Sequence, residues 1–291
     1  MKYVILLMSV AVLSSCKKED DEYITETVAE RQVPYSEFVP SFFTQKLLLE
    51  MYSTTSCATC PDAENKYRIY SNAHPDQIYG VCVHNGDAMN HQQFDVLDSC
   101  FNVTAYSSGS FNRLPFNNEV VIHKTSWSNT IVNSCLNRTA KCGIKLQTSY
   151  LGNTAQVTVT SGFNTNLSGD YRLTVYLLED SVSGTGSGYN QSNYYNNISS
   201  SPFYQMGNPI IGYQHNYVLR KVATSSLGES IPSTSLKKSG KFSRTYSINI
   251  SGYDAQQLYI VAFVNKKGNS ALTHEVMNVQ RVKLGMNKNW E

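Results

Sequence analysis

Cys57-Ala58-Thr59-Cys60, followed at once by Pro61, sets two thiols at the spacing that closes a small disulfide ring. A run that reads as a helix opens at the second cysteine, and a proline in the first turn costs no hydrogen bond there. The helix dipole and free amides at that end favour a thiolate, so Cys57 is the candidate attacking sulfur and Cys60 the resolving one. A permanent bridge stapling the loop would use the same two residues. Zinc is a third chemistry, but a structural site wants four ligands, and neither a second CxxC nor paired histidines accompany this one. His84 and Asp87 are candidate auxiliaries. Histidine titrates near neutrality and could pass a proton, whereas Asn85-Gly86-Asp87 also reads as turn chemistry, with Asp87 capping the next helix.

The elements that would position these groups follow from the apolar pattern. Leu47-Leu48-Leu49-Glu50-Met51-Tyr52 reads as a buried strand leading into the CxxC, with a helix from Pro61 to about Ser71. Ile78 to His84 reads as a strand covered on both faces. Ala88 to Leu97 predicts a second helix, and Trp127, Ile131, Val132, Cys135 and Leu136 mark one face of a third. Residues 45–141 therefore predict an α/β domain, and a CxxC between a buried strand and a helix is the setting of a thioredoxin-like site. After Cys142 the rhythm turns to period two, as in Val157 and Val159 or Leu173, Val175 and Leu177. About seven strands of this kind over residues 142–291 predict an all-β sandwich. The Tyr-rich interval from Ser181 to Gly212 is long enough to be a binding loop or a mobile insertion.

Seven cysteines are present, and the first closes the segment Leu13-Ser14-Ser15-Cys16. The apolar run before it, Tyr3 to Leu13, is too short to span a bilayer. The segment resembles a bacterial lipobox, which predicts a signal peptide over 1–15, lipidation of Cys16 and a tether over 16–44. The cluster Lys17-Lys18-Glu19-Asp20-Asp21-Glu22 resembles the export signal that carries lipoproteins of Bacteroidetes to the outer face of the outer membrane; a solvated charge run is the plain alternative. An oxidising compartment turns the other cysteines toward disulfides. Cys135 and Cys142 could bridge or stand as free thiols, while Cys82 and Cys100 read as small buried hydrophobes. Charged residues are 16% of the chain and the formal net charge is +2, so there is no electrostatic case for a nucleic-acid partner. No cofactor motif, phosphate loop or catalytic Ser-His-Asp pattern emerges, and no later apolar run approaches the roughly twenty residues of a spanning helix.

Four stretches resemble a known family, the outer-membrane-protein-28-related lipoproteins of Bacteroidetes. They are Leu49 to Ser53 with Cys57 to Pro61; Val83-His84-Asn85-Gly86-Asp87-Ala88-Met89; Tyr213-Gln214-His215-Asn216-Tyr217-Val218-Leu219-Arg220; and His274-Glu275-Val276-Met277-Asn278-Val279. The resemblance implies a thioredoxin-like domain followed by an immunoglobulin-like sandwich on a lipid anchor. It also implies a cis-proline against the CxxC, and Ser107 stands where that proline is expected, with Pro115 the alternative under a shifted alignment. A serine peptide prefers trans by about 2.5–4 kcal/mol, which favours a scaffold over an efficient oxidoreductase. The expectation is a surface-exposed outer membrane lipoprotein, held by its lipid anchor, that binds a protein or glycan partner without a cofactor. The alternative is an extracytoplasmic thiol-disulfide oxidoreductase acting through Cys57 and Cys60.

Overall fold

The computed structural model describes residues 38–290. Cys16, the expected signal peptide and most of the expected tether lie outside the described residues.

Strand β1, Leu47–Ser53, is buried at every position. The chain leaves it through the CxxC into α1, Cys60–Ala73, and returns along β2, Ile78–His84, which is also buried throughout. The two strands pair in parallel from Leu47↔Ile78 to Ser53↔His84, as a crossover helix requires. Gly80 lets α1 lie close to the sheet, because a Cβ there would stand 2.7 Å from the Tyr67 ring. Next come α2, Gln93–Phe101, and β3, Ser108–Phe111, which runs antiparallel to β1. β4, Ile122–His123, pairs with β3, and α3, Asn129–Leu136, starts at Ser128, whose Oγ accepts from the Ile131 amide. The order β2-β1-β3-β4, with the CxxC between β1 and α1, is a thioredoxin-like topology.

The helix expected from Ala88 begins only at Gln93. Side chains claim the intervening amides: Asp87 Oδ1 accepts from Met89 N at 2.8 Å and His91 Nδ1 from Gln93 N at 3.0 Å. Such local bonds offer the backbone an alternative to a helix.

The remaining strands are β5 (Cys142–Leu151), β6 (Thr154–Phe163), β7 (Tyr171–Glu179), β8 (Val218–Val222), β9 (Glu229–Ser230), β10 (Lys241–Asn249), β11 (Leu258–Lys266), β12 (Glu275–Lys283) and β13 (Asn287–Lys288). Four of them form one sheet, β10-β6-β5-β13, while the others extend the first sheet to nine strands, β12-β11-β7-β8-β2-β1-β3-β4, with β9 on β7. The junction is narrow: β8 meets β2 at Cys82↔Val218, and Cys82 N donates to Tyr217 O at 2.7 Å. β7 and β11 are consequently covered on both faces. Leu173, Val175, Leu177, Ile260 and Ala262 pack with Leu146, Val157 and Val159 of the facing sheet. On the opposite face Tyr176, Leu178, Val261 and Phe263 pack with Tyr52, Val81, Phe94 and Leu97. The chain is thus mixed α/β, with the period-two strands in two facing layers.

One charged pair lies inside the shared core. Arg113 donates from Nε to Glu50 Oε2 at 2.8 Å and from Nη2 to Oε1 at 2.7 Å, and both side chains are 1% exposed. The guanidinium stands 5.5 Å from the centre of the Phe101 ring on α2 and 5.1 Å from that of Phe263 on β11. Removing one partner of such a pair strands the other charge in the interior. Glu50→Gln is expected to lower unfolding free energy by about 3–5 kcal/mol in urea titration, and the double variant Glu50→Leu with Arg113→Met to regain most of it.

Candidate functional site

Cys57 and Cys60 are joined as a disulfide; Cys57 is partly exposed, whereas Cys60 is buried. The turn between them is tight, with Cys57 N donating to Thr54 O at 3.0 Å and Cys60 N to Cys57 O at 3.2 Å. Thr59 precedes α1 but its side chain does not cap the helix. Its Oγ1 instead lies 2.6 Å from Ser107 Oγ.

Ser107, fully buried just before β3, sits 3.2 Å from Cys57 Sγ and 3.5 Å from Cys60 Sγ through its Oγ. It takes the place beside the CxxC expected of the proline. Its φ of +63° is closed to a proline ring, which confines φ to about −65°. The backbone edge is therefore built differently here, with a hydroxyl against both sulfurs.

His84 and Asp87 meet at the end of β2. His84 Nδ1 lies 2.7 Å from Asp87 Oδ2, and both side chains are 1% exposed. Asp87 Oδ2 also accepts from Thr55 N at 2.9 Å, so this carboxylate fastens the loop before the CxxC to the next strand. Burial works against its charge, but His84 and the two amides hold Asp87 below the usual carboxylate range. The pair positions the CxxC loop, and neither residue contacts a sulfur through a hydrogen bond among the described residues.

Three further groups complete the site. Glu64, four residues after Cys60 on the inward row of α1, accepts from Tyr213 Oη and from Asn216 Nδ2, each at 3.0 Å. Its position on that row was readable from helical spacing. Burial pushes its carboxyl up to about 7, against the pull of those two donors. His215 stacks edge-on against His84 with ring centres 5.3 Å apart, and its Nε2 lies 2.8 Å from Tyr189 O. Burial, with His84 beside it, pushes His215 down to about 4, which keeps the imidazole neutral near pH 7. Gln191 is the third, and no sequence pattern marks it. Cys82 faces the same enclosed space as Cys60, Glu64, His84 and His215, and burial raises its thiol strongly.

The long loop is bonded to this turn. Ser192 N donates to Thr55 O at 2.8 Å, Gln191 Nε2 to Cys57 O at 2.8 Å and Tyr194 N to Ala58 O at 2.9 Å. Thr55 Oγ1 donates back to Ser187 O at 2.9 Å. Tyr195 Oη accepts from Lys124 Nζ at 2.7 Å, and that ammonium also pairs with Asp62 on α1. The carbonyls around the CxxC are thereby occupied by the chain's own segment.

The other expected cysteine pair stays apart. Cys135 and Cys142 are free and buried, and burial pushes each thiol up to about 12, leaving little thiolate for reaction. Cys100 is free and partly exposed. Among the described residues no three His, Cys, Asp or Glu side chains gather as a metal site.

Glu64 carries a pH signature. Its carboxyl titrates near 4.5 in an unfolded chain and near 7 in the fold, so the native state binds the proton more tightly. The stability that Glu64 contributes is full below pH 4.5 and is lost as pH rises toward 7. Allowing for residual solvent contact, the loss is expected to be about 2 kcal/mol in denaturant titrations across that window. Glu64→Gln is expected to remove this part of the slope.

One solved structure agrees with the fold. HBP35 of Porphyromonas gingivalis superposes with a TM-score of 0.66 at 16% identity, over 83% of this chain and 76% of that one. A structural-genomics protein of Agrobacterium tumefaciens matches with a TM-score of 0.48 at 10% identity, over 85% of this chain and 98% of that one. No curated protein matches significantly. Among the described residues no helix is long and apolar enough to cross a membrane. The sequence profile of the family described as Outer membrane protein Omp28 matches residues 94–288. Because that match runs from α2 to the last strand, over both cores that flank β7 and β11, the chain belongs to the Omp28 family of outer membrane proteins.

Proposed function

We propose that this is a lipoprotein held through Cys16 on the exposed face of the outer membrane, where it acts as a binding or adhesion module for a protein or glycan. In this reading the Cys57–Cys60 bridge is a structural staple. The carrying observation is the loop after β7, which is bonded to the CxxC turn at its base and displays apolar side chains beyond it. Tyr194 is 64% exposed, Tyr204 41%, Met206 49% and Ile211 72%. Between this loop and α1 runs a cleft of about 410 Å3, lined among others by Pro61, Arg68, Phe203, Met206, Ile211 and Tyr213. That size suits a ligand-binding recess, and exposed Met and Tyr suit adaptable contact surfaces.

An immunoglobulin-like arrangement of the period-two strands fits the same role. Its support is the strand order, β10-β6-β5 against β12-β11-β7, which follows the two-layer pattern of such sandwiches.

Replacing Tyr194, Tyr204, Met206 and Ile211 together by Ser is expected to weaken binding to immobilised cell-envelope fragments or to a glycan panel at least tenfold, with unchanged urea unfolding. Unaltered binding would remove the loop from the interface.

The partial exposure of Cys57 beside a buried Cys60 favours a second reading, thiol-disulfide exchange with Cys57 attacking and Cys60 resolving. Alkylation and mass spectrometry across a graded thiol buffer separates the two. A midpoint below about −300 mV is expected of a staple, whereas one between about −270 and −120 mV would identify a working oxidoreductase.

A further inference from the structure

Residues 187–195 cross the CxxC turn as a strap. Its middle is held on the turn and its approach: Thr55 O, Cys57 O and Ala58 O accept from Ser192 N, Gln191 Nε2 and Tyr194 N, and Thr55 Oγ1 donates to Ser187 O, while Gly188 O, Tyr189 O and Tyr195 Oη are held elsewhere, by Ala88 N, His215 and Lys124. Gln191 is 2% exposed, and its amide reaches Thr55 O at 3.2 Å as well as Cys57 O at 2.8 Å. The acceptors thus lie within, or just before, the ring of backbone that the disulfide closes. Their positions depend on that bridge.

We propose that the bridge and the strap are coupled, so that reducing Cys57–Cys60 loosens residues 191–194 from the turn and alters the surface that the loop after β7 displays. The role of the altered surface rests on the binding reading above; the coupling itself does not. The step needs a dithiol reductant. It gives two electrons and two protons to the protein, the Cys57–Cys60 S–S bond becomes two S–H groups, and the reductant's thiols become its own disulfide. Once unbonded, the two sulfurs must separate to van der Waals contact. Ser107 blocks one direction, since it is fully buried with its Oγ 3.2 Å from one sulfur and 3.5 Å from the other. The displacement falls on the Cys57 side of the turn, whose carbonyls hold the strap. Gly186 and Gly212, at φ of +82° and +70° with open space around each, allow the loop to move without a clash.

Coupling of this kind is reciprocal: if reduction loosens the strap by some factor, loss of the strap makes the bridge easier to reduce by the same factor. Tenfold corresponds to about 30 mV for a two-electron couple.

The test is hydrogen exchange at the Ser192 and Tyr194 amides of the full chain, oxidised and after treatment with dithiothreitol. Reduction is expected to speed exchange at both amides at least tenfold, and the Cys57→Ser, Cys60→Ser double variant to exchange fast without reductant. Gln191→Ala, checked for folding by its thermal midpoint, is expected to raise the bridge's potential by about 30 mV for each tenfold loss of strap protection. Equal exchange in the two redox states, or an unchanged potential in a folded Gln191→Ala protein, would overturn the coupling. Binding assays on envelope fragments do not enter either readout, so a failure of the binding reading would be seen separately.

Discussion

Glu50 and Arg113 impose a constraint that most of the other elements satisfy. A carboxylate at the centre of a strand buried at all positions is tolerable only with a counter-charge and hydrogen bonds of good geometry. Arg113 supplies both, but to reach Glu50 the chain after β3 must turn through Asn112 and Arg113 at φ of +51° and +54°. Two successive left-handed residues cost roughly 1–3 kcal/mol each and persist only where the surroundings fix them. Here Asn112 Oδ1 accepts from Leu48 N at 2.7 Å, Asn112 N donates to Leu48 O at 2.9 Å, and Ser110 Oγ adds a bond to Glu50 at 3.2 Å. The walls around the guanidinium come from α2, β7 and β11, through Phe101, Tyr176 and Phe263. An ion pair on β1 thus requires strands from the far end of the chain.

That requirement explains the continuous sheet. A free thioredoxin-like unit would leave the face of β1 and β2 that carries Tyr52, Val81 and Val83 without a complete cover, whereas here Tyr176, Val261 and Phe263 close it. The junction is reinforced on the polar side as well. Arg281 of β12 lies over three rings, Tyr79 at 5.3 Å, Tyr259 at 5.2 Å and Tyr217 at 5.9 Å, and so ties β2, β11 and the approach to β8 together. Cation–π contacts of this sort gain strength with desolvation.

The site at the other end of β1 follows the same logic. Polar groups that cannot be hydrated are satisfied across elements rather than within them: Asp87 holds the Thr55 amide, Glu64 holds Tyr213 and Asn216, and Gln191 holds the CxxC carbonyls. Each ties a different segment to the turn or to the helix that follows it. The result is a disulfide set in a polar cage, with Cys57 partly exposed and the insertion after β7 folded over its backbone.

Much of this was legible in the residues themselves. The apolar runs place β1 and β2, Pro61 places the start of α1, the Cys57–Cys60 spacing names the chemistry, and alternation places β6, β7, β11 and β12. Glu64 could be put on the inward face of α1 by counting from Cys60, although not its partners. Other features had no local record. The delayed start of α2 came from side chains capturing amides, which competes with a pattern that reads as helical. The pairing of β8 with β2 rests on the single Cys82↔Val218 bridge between segments far apart in sequence, and Gln191 is one amide among many in a polar loop. Periodicity states that a side chain has a buried face, because local geometry sets which way it points. Which element supplies the cover is decided only when distant segments compete for that face, and in this protein the competition was settled by burying Glu50 and Arg113 under strands that the sequence alone assigned to a separate domain.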